Sequence, residues 1–166
     1  MKTLFPILLT IAIISFLGCG EEKLTQEEIE DTKQEIRDLI TKQGKAYASG
    51  NMEYFRNSVS DDILEFGTSK NGVATNKEEW VEAFRDDFKA LDSMNIEFSE
   101  KLRHLSIQVS ETGDMASAIF EAPYTMTYKE KQFPGLFRMA VTWRKENGEW
   151  KIVQWLAAYP VDEGEL

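Results

Sequence analysis

Two glutamates placed inside apolar strand-like runs are the first chemical signal in this chain. Glu65 lies in ILEFG (63–67) and Glu121 interrupts SAIFEAPY (117–124). A carboxylate at a buried strand position is costly unless it is paired or protonated, so each residue is a candidate general base. Tyr124, and Arg138 inside the apolar run LFRMAV (136–141), are groups able to stabilise an enolate-like oxygen. That combination would serve general acid–base chemistry. The plainer reading is that both carboxylates face outward at a sheet edge, or pair with Arg138. Tyr124, Met126 and Tyr128 share the strand face of Phe120, a composition that suits a core or the wall of an apolar cavity.

Other routes to chemistry are thin. The single histidine, His104 in KLRHLSIQ (101–108), has no carboxylate–histidine spacing around it, which favours a structural role over a metal or catalytic one. No metal site or cofactor is expected. No serine or cysteine nucleophile motif occurs, and Gly113, Gly135 and Gly148 fall singly at turns instead of forming a phosphate cradle. The formal net charge of −10 repels phosphate backbones, which disfavours nucleic-acid binding.

The one cysteine, Cys19, has a different logic. It follows MKTLFPILLTIAIISFLG (1–18), in which Lys2 precedes an apolar run too short and too weakly flanked for a membrane-spanning helix. FLGC (16–19) resembles the bacterial lipobox, which implies cleavage before Cys19 and lipid attachment to its sulfur. Each buried methylene adds about 0.8 kcal/mol, so two or three acyl chains hold a protein on a membrane. The alternative is an ordinary signal peptide with a free cysteine nearby. The expected organisation is a signal peptide at 1–18, a tether at 19–24, a domain at 25–160 and a tail at 161–166. The expected location is the cell envelope, on its periplasmic or outer-surface side.

Periodicity supplies the elements that must position these groups. Thr25 and Glu28 form a capping box ahead of an amphipathic helix with Ile29, Ile36, Leu39, Ile40 and Tyr47 on its stripe. Gly50 stops it, and Asn51 caps a shorter helix with Met52, Tyr54, Phe55 and Val59. Residues 60–62 read as a turn, 63–68 as a strand, and 69–76 as a loop or short hairpin around Asn71-Gly72. Asn76 and Glu79 open a third helix with Trp80, Phe84, Phe88 and Leu91 in line. Four strands follow, at about 96–110, 114–128, 135–145 and 149–159. Helices first and a meandering antiparallel sheet afterwards make the fold class α+β. The last strand is apolar on both faces: Trp150, Ile152, Gln154, Leu156 and Ala158 alternate with Lys151, Val153, Trp155, Ala157 and Tyr159. Both sides therefore need covering.

YASGNMEYFRNSVSDDILEFG (47–67), GDMASAIFE (113–121) and FRMAVTWRKENGEWKIVQW (137–155) together resemble the nuclear transport factor 2-like superfamily, and within it the SnoaL-like (polyketide-cyclase-like) domains. The resemblance spans roughly Thr25 to Pro160. It implies a cone: helices held in a strongly curved, mostly antiparallel sheet whose concave face lines a pocket and whose outer face often meets a second subunit. On that basis the pocket candidates are Tyr47, Phe55, Glu65, Phe84 and Phe88, with Glu121, Tyr124, Met126, Arg138, Gln154 and Leu156 from the sheet. Many relatives place histidine, histidine and serine where this chain has Gln154, Leu156 and Ala158, none of which transfers a proton. The fold hosts enzymes, binders and dimerisation modules alike. The preferred expectation is a membrane-anchored, homodimeric domain that binds a small apolar or amphipathic molecule without catalysis. The alternatives are an isomerase or dehydratase using Glu65 or Glu121, and a protein-interaction module with a filled interior.

Overall fold

The computed structural model describes residues 23–68, 72–91 and 94–160. Helix α1 (Gln26–Ala48) starts at Thr25, whose hydroxyl accepts from the Glu28 amide while the Glu28 carboxylate accepts from the Thr25 amide at 2.8 Å, the reciprocal capping box. Ile36, Ile40 and Ala46 are its buried stripe. After Ser49, Gly50 takes φ 63°, a value that suits glycine at a helix C-terminus. Asn51 then caps α2 (Met52–Ser58) through its side-chain oxygen, 3.0 Å from the Tyr54 amide.

Seven strands follow or flank α3 (Lys77–Leu91): β1 (Val59–Phe66), β2 (Val73–Ala74), β3 (Asn95–Phe98), β4 (Arg103–Val109), β5 (Met115–Tyr128), β6 (Lys131–Glu146) and β7 (Glu149–Ala158). They form one curled sheet in the order β2-β1-β7-β6-β5-β3, with β4 pairing β5 beyond β3. Only β1 and β7 run parallel; the other ladders are antiparallel. The helices pack on the inner face, where Ile63, Ala116, Ala118, Phe120, Met139, Val141, Trp143 and Ile152 close the core against Ile36, Phe55 and Trp80. The α+β class and the curled, mostly antiparallel sheet hold.

Three local features depart from the sequence expectation. β1 begins at Val59, with Ser60–Asp62 inside the strand, because Ser60 is buried and its hydroxyl lies 2.6 Å from both Asp62 Oδ1 and Glu146 Oε1, able to donate its one proton to either, while Arg144 Nη2 donates to Asp62 and Glu146. The polar triplet that reads as a turn is thus held in the sheet by charge-assisted bonds. The strand expected at 96–110 is broken into β3 and β4, where the Ser99 hydroxyl accepts from the Lys101 amide at 3.1 Å and turns the chain. Lastly, β5 and β6 continue to a two-residue turn at Lys129 (φ 48°) and Glu130 (φ 65°). Neither residue favours positive φ, and the long ladder on either side offsets that strain.

Candidate functional site

Aromatic rings fill the inner side of the sheet. Trp80 stacks on Phe84 at 4.0 Å, Phe84 on Phe55 at 5.1 Å, and Trp155 meets Phe84 edge-on at 6.0 Å. Phe55, Trp80 and Phe84 are almost wholly buried, so these rings are packing partners first. Trp80 Nε1 has no acceptor among the described residues, a cost that its ring contacts must offset. Tyr47, at the C-terminal end of α1, is the hub of the cluster. It makes edge contacts with Phe55, Phe84, Phe88 and Phe98 at 5.5–6.3 Å.

Glu65 projects from β1 into this setting. It shares the inner face with Ile63, stands in register with Trp155 of β7, and is only 6% exposed. Its carboxylate makes no hydrogen bond among the described residues. A methyl group at Gly67 would lie 3.3 Å from Glu65 Oε1, so the bare end of β1 leaves the acid its room. Burial first, and the negative charge of Asp87 on α3 second, push the carboxyl up to about 7. The Tyr47 phenol is raised well above its ordinary value by burial, then by Asp87, Tyr159 and Tyr124. Tyr124 is raised by burial and by the neighbouring Tyr159 hydroxyl.

Set apart from Glu65, a cleft of about 740 Å³ opens beside β3 and the β5–β6 ladder, bounded by Phe98, Tyr124, Leu136 and Tyr159, with Glu97 and Arg103 at its polar rim. Phe137 stacks on Tyr124 and lies against Tyr159, both at 4.9 Å, behind that opening. Gly135 is opposite Tyr124 in the ladder, and a Cβ there would overlap the phenol ring. Glycine at 135 is what lets Tyr124 lie flat across β6. A second cleft, about 720 Å³, lies between α1, α2 and the β6–β7 turn. Several of its polar groups are already paired: Trp150 Nε1 donates to Glu35 Oε2 at 3.0 Å and Lys151 Nζ to the Asn57 carbonyl at 2.8 Å, while Lys145 Nζ lies 4.7 Å over the Trp150 ring.

The sequence-named residues divide between two faces. Tyr47, Phe55, Glu65, Phe84, Phe88 and Tyr124 are on the inner side; Met126, opposite Ile96, lies further out along the β5–β6 arm. Glu121, Arg138, Gln154 and Leu156 are not pocket residues. Arg138 Nε donates to Glu121 Oε1 at 3.1 Å on the outer face, with His104 Nε2 at 3.8 Å from the same carboxylate. Gln154 accepts from Thr142 there at 3.2 Å, and Leu156 is 44% exposed. The cause is a bulge. Ile152 pairs with Trp143 and Gln154 with Thr142, so Val153 is an extra residue on β7. Ile152 stays on the inner face, and beyond Val153 the alternation shifts so that Trp155 and Ala157 point inward while Gln154, Leu156 and Ala158 turn outward. Strict alternation therefore put the wrong half of β7 in the pocket. The adjacent apolar pair Ile152-Val153 was the available signal. Trp155, Ala157 and Tyr159 are the inner-side residues missing from the candidate set, and Asp87 on α3, itself exposed, is the missing charge that bears on Glu65. Cys19 lies outside the described residues.

Comparison with known proteins agrees with this architecture. The family model described as the SnoaL-like domain matches residues 36–162. An NTF2-like protein of unknown function from Pseudomonas putida superposes with a TM-score of 0.68 at 19% identity, over 81% of this chain and 90% of that one. An NTF2-like family protein from Streptomyces avermitilis, named as a candidate dehydratase, gives 0.67 at 12% identity, over 80% of this chain and 99% of that one. A structure from Catenulispora acidiphila in complex with S-DNPA gives 0.66 at 14% identity, over 78% and 94%. A search of the curated proteins finds no match. At these identities the structural likeness speaks for the fold alone. The family match covers most of the chain, and the curled sheet around an aromatic interior is the same architecture, so this chain belongs to the family of SnoaL-like domains.

Proposed function

We propose that the domain binds a small apolar or amphipathic molecule at the open end of its sheet, without catalysis of its own. The observation that carries this reading is the 740 Å³ cleft walled by Phe98, Tyr124 and Tyr159 and backed by Phe137, of a size and character suited to a small ligand. The neutral dye N-phenyl-1-naphthylamine is a direct probe. Its fluorescence is expected to rise saturably with the protein, and Gly135→Val, which drives a side chain into Tyr124, should weaken binding about ten-fold. A dye signal that never saturates, or that the substitution leaves unchanged, sinks the reading.

Glu65 supports a second reading, an isomerase- or dehydratase-type enzyme. An acid held near neutrality inside an aromatic interior is poised to carry a proton. Turnover of an enolisable ketone that Glu65→Gln abolishes would favour this over simple binding. The outer Glu121–Arg138 pair no longer contributes to either reading.

Two further parts of the proposal concern context. The domain is held at the envelope membrane by a lipid on Cys19, as the lipobox-like FLGC suggests. Cys19→Ser is expected to move the protein from the membrane fraction to the soluble one; retention would exclude the anchor. The domain also forms a homodimer through its outer face, argued in the Discussion.

A further inference from the structure

We propose that the ligand of the 740 Å³ cleft is an anionic amphiphile, an apolar chain ending in a single carboxylate, whose head group sits at Arg103 while its chain lies against Tyr124 and Leu136. This rests on the binding reading above and adds the chemical class. Three observations converge on it.

First, the cation at the rim has no acid of its own. Arg103 lines the cleft, is exposed, and makes no hydrogen bond or ion pair among the described residues. The carboxylate opposite it in the β4–β5 ladder, Glu121, is already engaged: Arg138 Nε lies 3.1 Å from one oxygen and His104 Nε2 3.8 Å from the other. A guanidinium left over in a chain of net charge −10 stands out, and its planar fork of N–H donors matches a carboxylate.

Second, the acid on the same rim is distant. Glu97 pairs with Thr125 and Arg103 with Glu121, so the two rim charges are four residues apart along β5, roughly 13 Å. That exceeds the screening length of about 8 Å at physiological salt, so Glu97 does not cancel Arg103. It also accepts from Asn95 Nδ2 at 3.1 Å. An anion is drawn to one end of the cleft and repelled from the other, which gives the ligand a direction.

Third, the lining near Arg103 suits a hydrocarbon chain. Pro123, Tyr124, Pro134, Leu136 and Tyr159 border the cleft, and neither proline has an amide hydrogen to leave unpaired beneath an apolar chain. The volume lies within the ordinary range for small-molecule sites.

The test is displacement of bound N-phenyl-1-naphthylamine by octanoate, octanol and octyltrimethylammonium at pH 8, each below its micellar concentration. Octanoate should compete about five-fold more strongly than octanol, as fits an ion pair open to water, and the cation should be weakest. Arg103→Gln should erase the difference between octanoate and octanol. Arg103→Lys, which keeps the charge without the fork, should retain part of it. Far-UV circular dichroism shows that both variants are folded. Dye that does not bind overturns the binding reading and this one together. Dye that binds while octanol or the cation matches octanoate overturns the charge assignment alone. An octanoate preference that survives Arg103→Gln also overturns it, because the selectivity then lies elsewhere.

Discussion

Between about pH 5 and pH 8 the domain is expected to lose stability as pH rises, and Glu65→Gln is expected to abolish that loss. The folded carboxyl is raised from an ordinary 4.5 to about 7, so between those values the native state holds a proton that the unfolded chain has released. Stability then falls with rising pH, since the native state binds more protons. The contribution is complete below about 4.5 and is lost as pH passes through about 7. It amounts to ~2–3 kcal/mol after allowing for some water near the carboxylate. Asp62 and Glu146 act in the opposite sense: hydrogen bonds from Ser60 and pairing with Arg144 hold both below their usual range, and their contribution is lost only at more acid pH. The two effects occupy separate windows. Urea unfolding at several pH values, wild type beside Glu65→Gln, checks this. A wild-type midpoint that is flat or rises from pH 5 to 8 would show that Glu65 is not buried as described. Glu65→Leu should be more stable than wild type at pH 8, because it removes the charge and fills the space.

The second large effect is expected on the opposite side of the sheet. The ladders place Phe66, Leu156, Ala140 and Ile119 in one row across β1, β7, β6 and β5. Phe66 is 53% and Ile119 60% exposed, and Leu64 borders them. A row of this kind on a monomer marks an interaction surface. A second copy is the occupant that fits. In the homodimer proposed above, a two-fold axis through the row would lay Phe66 of one copy over Ile119 of the other, and the flanking residues carry both signs, with Arg138 beside Glu121. For a chain of net charge −10, a face whose charges are mutually compensated is where two copies approach with least repulsion. Leu156→Glu, at the centre of the row, is expected to weaken self-association about 100-fold with unchanged circular dichroism. Sedimentation equilibrium reads this directly; a wild type that stays monomeric at high concentration removes the proposal.

How much of this was legible in the residues depends on how local each determinant is. Thr25 with Glu28, Asn51 and Asn76 announce helix starts because a cap is satisfied within four residues, and all three act as caps. Gly113 and Gly148 mark turns because both take positive φ. The break of the 96–110 strand at Ser99 is a local miss; the others involve partners distant in sequence. Ser60 and Asp62 look like a turn until Arg144 and Glu146 arrive from the other end of the chain. Glu121 pairs with Arg138 on the outer face, the plainer of the two readings its sequence context allowed, and so leaves the pocket set. The inner and outer halves of β7 exchange places because of one inserted residue, Val153, whose effect is visible only against β6. Glu65 was singled out as an acid in an apolar run, and its burial beneath α3 makes it the residue of greatest chemical interest.

The parallel pairing of β1 with β7 has a consequence for the order in which the molecule is assembled. Val59 waits for Ile152 and Phe66 for Leu156, so the first long strand has no neighbour on that side until the last one has been made. Contacts spanning so much of the chain are slow to form, and Trp155, which meets the Phe55–Trp80–Phe84 rings, is delivered by the same late segment. A nascent chain in which β7 has not yet been made therefore has its helices and the β5–β6 hairpin but no closed sheet. Arrival of β7, and not of the early helices, is what closes the sheet.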